Sequence, residues 1–146
     1  MHKTIDFSRT SEHSLPLPSH AIEGDAGLDL RTTIDLIVAP GKRVLAPTGF
    51  AVVIPEGYVG LVHPRSGLAF NHGITVLNTP GTIDSGYRGE LKVLLFNAGD
   101  TIYHARVGDR IAQLVIQEYV SVTPREIERL PQTSRGESGY GSTGAA

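Results

Sequence analysis

Short apolar runs separated by turn residues dominate the pattern along the chain. Leu28 and Leu30 alternate with Asp29 and Arg31, which gives a strand with one apolar face and one polar face. Further strand-like runs, bounded by glycine, proline or asparagine, cover residues 50–54, 58–62, 74–77, 91–97 and 111–120. No long helical period is visible, so the pattern predicts an all-β barrel or sandwich.

One segment departs from this pattern and predicts a short helix. In the run SGLAFNHG, Ser66 would cap the start of the helix and Gly73 would end it. Free backbone N–H groups at such a start attract anions, and the preceding Arg65 adds a positive charge. An ordinary capped turn is the alternative interpretation.

The C-terminal residues differ in composition from the rest of the chain. We predict a β-barrel domain over residues 1–134 and a flexible glycine-rich arm over residues 135–146. Arg135 and Tyr140 stand among the glycines, although a simple linker needs neither. Consecutive glycines and hydroxyl residues can close backbone N–H groups around a phosphate, whereas plain disorder is the alternative.

Composition limits the classes of protein that fit. The 146 residues suit one globular domain, and the absence of cysteine excludes disulfides and thiolate zinc sites. The N-terminus lacks the apolar run of a signal peptide, and no stretch reaches the length of a membrane span. A net charge of −2 offers no basic field for nucleic acid. We therefore expect a cytoplasmic protein with neither nucleic-acid nor membrane partners.

The segment from residue 78 to residue 93 is the first candidate for chemistry. It has the turn residues of a β-hairpin or of a wide turn between two strands. Asp84 within it either makes an Asx-turn or presents a carboxylate to a water molecule. Tyr87 either packs at the edge of the core or offers a flat face to a ring or a sugar.

Two further polar residues lie within predicted strands. Asp29 is either a solvated strand residue or a hard oxygen ligand near Mg²⁺, an ion that needs few protein carboxylates. Gln113 shares one face of its predicted strand with Ile111 and Val115, and a polar amide among apolar neighbours needs a hydrogen-bond partner. That partner is either a backbone group or a phosphate.

Five segments, in this order, resemble the five motifs of the trimeric dUTPase family. They are DAGLDL, PRSGLAF, GTIDSGYRGELKV, GDRIAQLVI and RGESGYGSTG, and together they extend from about Gly24 to Gly144. The resemblance implies a distorted jelly-roll β-barrel with one short helix. It also implies a homotrimer with sites between subunits, a C-terminal arm that closes over a neighbour's nucleotide, and Mg²⁺-dependent cleavage of dUTP to dUMP and pyrophosphate.

The resemblance also implies roles for individual residues. Asp84 matches the catalytic aspartate that activates water for in-line attack on the α-phosphorus, and Asp29 matches the aspartate that holds Mg²⁺ through water. Tyr87 matches the tyrosine that packs on deoxyribose. The other substrate-binding positions are implied to be Arg65, Ser66, Gly67, Gln113 and Arg135 toward phosphates, Asn78, Thr82, Ile83 and Lys92 around uracil, and Tyr140, Gly141 and Ser142 in the arm.

The fifth motif departs from the family pattern at two positions. Ser138 replaces the first of two paired glycines, and it restricts φ where glycine does not. Tyr140 stands where the family usually has a phenylalanine that stacks on uracil. Neither change involves Asp84, so we expect them to affect closure of the arm rather than the reaction itself.

Two other functions compete with dUTP hydrolysis. A dCTP deaminase resembles this chain around the second and third motifs, but its catalytic glutamate would fall near Leu94, and leucine cannot perform acid–base chemistry. A non-catalytic nucleotide-binding trimer is the second alternative, which the intact Asp84 argues against.

Overall fold

The computed structural model describes residues 4–139 and shows a nearly all-β fold with one short helix. The elements are β1 (Asp6–Arg9), β2 (Gly27–Arg31), β3 (Leu36–Val38), β4 (Arg43–Pro47), β5 (Phe50–Val53), β6 (Tyr58–His63), α1 (Ser66–His72), β7 (Ile74–Val76), β8 (Gly81–Ile83), β9 (Lys92–Asn97), β10 (Tyr103–Ala105) and β11 (Arg110–Glu118).

Antiparallel strands form the four small sheets of a distorted jelly-roll barrel. The largest sheet has the order β2-β11-β6-β8, the next has the order β4-β9-β7, and β1-β5 and β10-β3 form two pairs. Alternate residues of each strand point into one shared core, where Leu30, Leu95 and Leu114 are fully buried. The predicted all-β class and jelly-roll barrel are confirmed.

The predicted strands are found, but the apolar pattern misses five others. β1, β3, β4, β8 and β10 have only three to five residues each. In β1 the burial alternates only weakly, with Phe7 alone partly buried. Such segments become strands because they pair with a strand from another part of the chain, which periodicity within the segment does not reveal.

The segment between residues 78 and 93 is a wide turn between two sheets, and the hairpin alternative is wrong. β8 pairs with β6, whereas β9 pairs with β4 and β7. The strands on either side of the turn therefore diverge into different sheets. Asp84 lies directly after β8, at the point where the chain passes from one sheet to the other.

The predicted helix is present, but its start differs from the prediction. Arg65 is the N-cap residue and makes no side-chain capping hydrogen bond, so the prediction that Ser66 caps the helix is wrong: Ser66 is already helical. Gly73 ends the helix in the left-handed conformation at a φ of 66°, as predicted. Within residues 4–139, no helix has the length and apolar character needed to cross a bilayer.

The chain leaves the barrel after β11. The backbone N–H of Tyr119 still donates to the carbonyl of Gly57, at 3.1 Å, but residues 120–138 are all exposed. Within this stretch the hydrogen bonds join neighbouring residues, as from Ser138 N–H to the Arg135 carbonyl at 3.2 Å. We call residues 119–139 the C-terminal extension, and it begins before the compositional boundary predicted at residue 134.

Asn97 at the end of β9 joins the end of β3 to the loop between β9 and β10, and we expect its loss to destabilise the fold. Its buried Nδ2 donates to the carbonyls of Val38 and Thr101 at 2.8 Å each, and its Oδ1 accepts from Gly99 N–H at 2.9 Å. Asn97→Ala leaves these groups unsatisfied, so the free energy of unfolding should fall by about 3 kcal/mol. Urea denaturation measures this. Asn71→Ala, at an exposed helical position, is the control and should change it little.

Candidate active site

Asp29 occupies the centre of a charged cleft. Its Oδ1 lies 3.1 Å from Nε of Arg65, and its Oδ2 lies 3.2 Å from Nη1 of Arg110. The Asp29 side chain is only 13 % exposed, so both of its oxygens are directed into these contacts rather than into bulk water. One carboxylate therefore holds two guanidinium groups, and the three side chains together carry one excess positive charge.

The register of the largest sheet places these side chains. Asp29 on β2 lies opposite Gln113 on β11, and Gln113 lies opposite His63 at the end of β6. The chain continues from β6 directly to Arg65, which therefore returns to the same edge of the sheet. A shift in register between Arg110 and Ala112 is the irregularity next to which Arg110 reaches Asp29.

A cleft of about 290 Å³ opens beside this cluster. Its volume is at the lower end for small-molecule sites, which suits part of a nucleotide rather than all of one. The structure thus brings together five of the predicted site residues, which belong to three separate motifs. The residues that line the cleft are Ala21, Asp25, Ala26, Gly27, Asp29, Arg65, Ser66, Gly67 and Gln113.

The amide of Gln113 has a backbone partner. Its Nε2 donates to the Pro64 carbonyl at 2.9 Å, which confirms the backbone alternative for this amide. The Oε1 atom packs against Gly27 so closely that a Cβ at residue 27 would collide with it. The bond to Pro64 fixes the chain immediately before Arg65. The contact of Gln113 with a phosphate stays a prediction.

Asp84 is exposed and has a free carboxylate. The turn that contains it is closed by the backbone, with Tyr87 N–H donating to the Asp84 carbonyl at 3.1 Å. Within residues 4–139, the side chain of Asp84 accepts no hydrogen bond and forms no ion pair, so the Asx-turn alternative is wrong. A carboxylate on a fixed turn with no protein partner is available to orient a water molecule.

Tyr87, three residues after Asp84, is 44 % exposed. Its hydroxyl donates to the backbone carbonyl of Glu90 at 3.0 Å, and its ring packs over Gly89. Nζ of Lys92 lies 3.7 Å from the carboxylate of Glu90. The ring is therefore presented to solvent, at a position that its own loop determines.

The residues predicted around uracil lie close in sequence to the wide turn, before and after it. Asn78 places its amide next to Gly81 at the start of β8, Thr82 is exposed, and Ile83 packs partly against the core. Together with Lys92 they flank the wide turn that carries Asp84. Their contacts with a base stay a prediction.

The residues of the cleft around Asp29 and the residues of the wide turn around Asp84 are far apart within one chain. From Asp29 to β8 the sheet crosses three strand spacings, or roughly 14 Å. Ile83 lies opposite Gly60, which is about 10 Å along β6 from the His63 that aligns with Gln113. Asp84, one residue further on, therefore cannot act on a phosphate held beside Asp29 of the same chain.

Arg110 and Glu90 were not among the predicted site residues. Both lie within the quoted motifs: Arg110 is the third residue of the fourth motif, and Glu90 lies between Tyr87 and Lys92 in the third. The contacts of Arg110 depend on β2 and β11 being neighbours, and those of Glu90 depend on Gly49, which lies far away in sequence. The position of these residues in the motifs is therefore not enough to predict their contacts without the strand order.

The cleft offers few direct protein ligands for a divalent cation. Within residues 4–139 no group of three or more His, Cys, Asp or Glu side chains is arranged to bind a metal directly. Both oxygens of Asp29 contact arginines. This donor set fits Mg²⁺ only where water and ligand phosphates supply most of the coordination, as Mg²⁺ prefers.

Tyr103 is buried in the core, close enough to Arg65 and Asp109 to be influenced by their charges. Burial raises the pKa of Tyr103, the negative charge of Asp109 raises it further, and the positive charge of Arg65 partly opposes both. The phenol therefore stays neutral near neutral pH and adds no negative charge near Arg65.

The predicted residues of the arm lie away from the cleft or outside the described part of the chain. Arg135 is exposed in the C-terminal extension, where its Nε donates to the Ser138 carbonyl at 3.1 Å. Tyr140, Gly141 and Ser142 lie outside the described residues.

Comparison with known proteins decides the family. The family model described as dUTPase matches residues 13–144. The chain belongs to the dUTPase family. A deoxyuridine 5'-triphosphate nucleotidohydrolase of Nocardia farcinica is 54 % identical over 137 residues, covering 93 % of this chain and 83 % of that protein. One of Corynebacterium glutamicum is 54 % identical over 135 residues, covering 91 % and 90 %.

Solved dUTPase structures share the fold. The dUTPase of Staphylococcus bacteriophage 80alpha with dUpNHpp superposes with a TM-score of 0.90 at 28 % identity, covering 99 % of this chain and 100 % of that chain. A mutant dUTPase from phage phi11 of S. aureus, described with the coordination of a structural Mg(II) ion, has a TM-score of 0.78 at 27 % identity, covering 87 % and 98 %. Both are dUTPases with the jelly-roll fold found here.

Proposed function

We propose that this chain hydrolyses dUTP to dUMP and pyrophosphate. One observation carries the proposal: in a member of the dUTPase family, the fold gathers Asp29, Arg65, Ser66, Gly67 and Gln113 around one charged cleft. The related phage enzyme with dUpNHpp supports a deoxyuridine nucleotide as the ligand.

The cleft is suited to the phosphates of the substrate. Ser66 and Gly67 form the first turn of α1, where backbone N–H groups have no helical partner. Arg65 can exchange Asp29 for a phosphate oxygen without leaving the cleft, because the guanidinium has several donors. The excess positive charge of the cluster and these N–H groups stabilise the negative charge that develops on the departing pyrophosphate.

Mg²⁺ completes the charge balance in this proposal. The ion would neutralise phosphate charge and hold phosphate oxygens in place for the reaction. Asp29 would contact it through water, and the two arginines keep the carboxylate in one orientation.

Asp84 supplies the general base. Its carboxylate orients a water molecule in line with the α-phosphorus and accepts a proton as the water oxygen bonds to that phosphorus. The bond from the α-phosphorus to the bridging oxygen breaks, and pyrophosphate leaves with that oxygen. The side chain is available for this step because, within residues 4–139, no hydrogen bond that holds the turn uses the Asp84 carboxylate.

The wide turn supplies selectivity. Asn78, Thr82, Ile83 and Lys92 would surround uracil, while the ring of Tyr87 would pack against deoxyribose and exclude a 2′-hydroxyl. Hydrogen bonds to the base reject cytosine more strongly than shape alone rejects a methyl group.

A homotrimer would bring the two groups of residues together. Asp84 and Asp29 are too far apart within one chain, so a complete site needs residues from more than one copy. The C-terminal extension carries Val120, Val122 and Leu130 at 84 %, 77 % and 83 % exposure, and these apolar side chains suit burial on a neighbour. Such an arm would deliver Arg135, Tyr140, Gly141 and Ser142 to the neighbour's site and close over it.

The alternatives fit the structure less well. In the position proposed for a deaminase glutamate, Leu94 is half-buried on β9 opposite Leu45. A purely binding trimer would not need the free carboxylate of Asp84. We further propose a cytoplasmic enzyme whose partners are dUTP and its own copies, with no nucleic-acid or membrane partner.

Release of pyrophosphate from a panel of nucleotides tests the proposed function. With Mg²⁺ present, dUTP should react at least about a hundred-fold faster, by kcat/KM, than dTTP, dCTP or UTP. Chelation of Mg²⁺ should slow the reaction. Ammonia release from dCTP would instead establish the deaminase, and tight binding of dUTP without any turnover would establish a non-catalytic protein.

A further inference from the structure

The ring of Tyr87 is held in place by the two residues that follow Arg88. Its hydroxyl donates to the backbone carbonyl of Glu90 at 3.0 Å, and its ring lies directly over the Cα of Gly89. A Cβ at residue 89 would collide with the hydroxyl oxygen and with ring carbons of Tyr87. The backbone of Gly89 does not adopt a positive φ, so alanine is excluded there by the ring rather than by the backbone.

Glu90 is anchored to a second part of the barrel. Its Oε1 accepts from the backbone N–H of Gly49 at 2.9 Å, and its Oε2 lies 3.7 Å from Nζ of Lys92. Gly49 is held in turn by its carbonyl, which lies 3.0 Å from Nε2 of His13 and accepts from the N–H of Thr10 at 2.9 Å. The carbonyl that receives the Tyr87 hydroxyl thus belongs to a residue fixed from the opposite side.

We propose that Gly89 and Glu90 are positioning residues for Tyr87, and that through its ring they determine the preference for deoxyribose over ribose. This rests on the proposed function, because it assumes that Tyr87 faces the sugar. Gly89 provides the empty space in which the ring lies, and Glu90 provides the acceptor that fixes its rotation. Neither residue contacts substrate in this account.

The test compares kcat/KM for dUTP and UTP in a set of variants. Gly89→Ala displaces the ring, so the dUTP-to-UTP ratio should fall at least about tenfold. Most of the change should be in KM, since Asp84 is untouched. Gly86→Ala is the matched control: this glycine lies in the same turn, has no positive φ and has no atom within 4 Å of an added Cβ. Its ratio should stay within about twofold of wild type.

A double variant separates positioning from a general structural effect. If Gly89 acts through the ring, then Gly89→Ala should have almost no further effect on the ratio once Tyr87→Ala has removed the ring. Glu90→Ala should lower the ratio, while Glu90→Gln, whose amide oxygen can still accept from Gly49, should retain most of it. The Glu90 pair also tests the proposal if Gly89→Ala fails to fold, as judged by circular dichroism and melting temperature.

The outcomes distinguish this proposal from the one on which it rests. If the wild-type protein releases no pyrophosphate from dUTP, the proposed function is wrong and the inference falls with it. If the wild type prefers dUTP but folded Gly89→Ala keeps that preference, the positioning role is wrong. The same conclusion follows if Gly89→Ala shifts the ratio equally with and without the Tyr87 ring, or if Glu90→Ala and Glu90→Gln behave alike.

Discussion

Asp84→Asn is expected to lower kcat for dUTP by about a thousand-fold while leaving nucleotide binding nearly unchanged. The amide has almost the shape of the carboxylate and can still contact a water molecule, but it cannot accept the proton of that water. Because the Asp84 side chain has no protein partner within residues 4–139, its replacement disturbs no contact of the fold. Pyrophosphate release measures turnover, and calorimetric titration with dUpNHpp measures binding.

The control for this variant is Asp100→Asn. Asp100 is also an exposed aspartate, but it lies in the loop after β9, away from the wide turn. The Asp100→Asn variant should leave both the turnover of dUTP and the binding of nucleotide unchanged. Turnover by Asp84→Asn within about threefold of wild type would exclude Asp84 as the base, and a loss of binding as large as the loss of turnover would assign it to substrate binding instead.

Removing the residues after Ser134 is expected to cause the second large loss of activity. Within residues 4–139, the stretch from residue 120 to residue 138 makes no hydrogen bond to the barrel, so the truncated protein should fold and melt as the complete one does. It would lack Arg135 and the rest of the arm, and kcat/KM should fall by at least about a hundred-fold. Sedimentation should show an unchanged assembly. An unaltered rate would contradict the role of the arm as a lid.

Mixing the two inactive proteins tests whether one site uses several chains. A subunit truncated after Ser134 still has Asp84, and a subunit with Asp84→Asn still has the arm. If the two elements of a site come from different chains, co-refolding equal amounts should restore roughly a quarter of the wild-type sites. The same proteins mixed after folding, without exchange, provide the baseline. No recovery on co-refolding would show that each chain supplies both elements of its own site.

The features that the sequence predicts well are those that depend on neighbouring residues. Asp29 lies on the polar face of β2 because side chains alternate along a strand, and Gly73 ends α1 because glycine accepts a positive φ. The sequence also predicts that the amide of Gln113, among apolar neighbours, needs a partner, although it leaves open whether that partner is a backbone group or a phosphate.

The features that the sequence predicts poorly depend on distant pairing or on competition between neighbours. The hairpin interpretation of residues 78–93 is wrong because β8 pairs with β6 rather than with β9. The residues between β8 and β9 do not show which strand β8 pairs with. The predicted cap is wrong by one residue, because Arg65 keeps an extended backbone while Ser66 is already the first helical residue. The contact from Arg110 to Asp29 required the strand order, which local periodicity leaves open.

The alignment of Asp29, Gln113 and His63 across three strands has a consequence for how this chain can change. Side chains in a strand alternate between faces, so the register that directs Gln113 toward the cleft also directs Leu114 into the core. An insertion or deletion within β11 would reverse both at once. β11 should therefore accept substitutions on its exposed face but no change in length, and lineages of this protein should vary in length only in the loops and at the two ends.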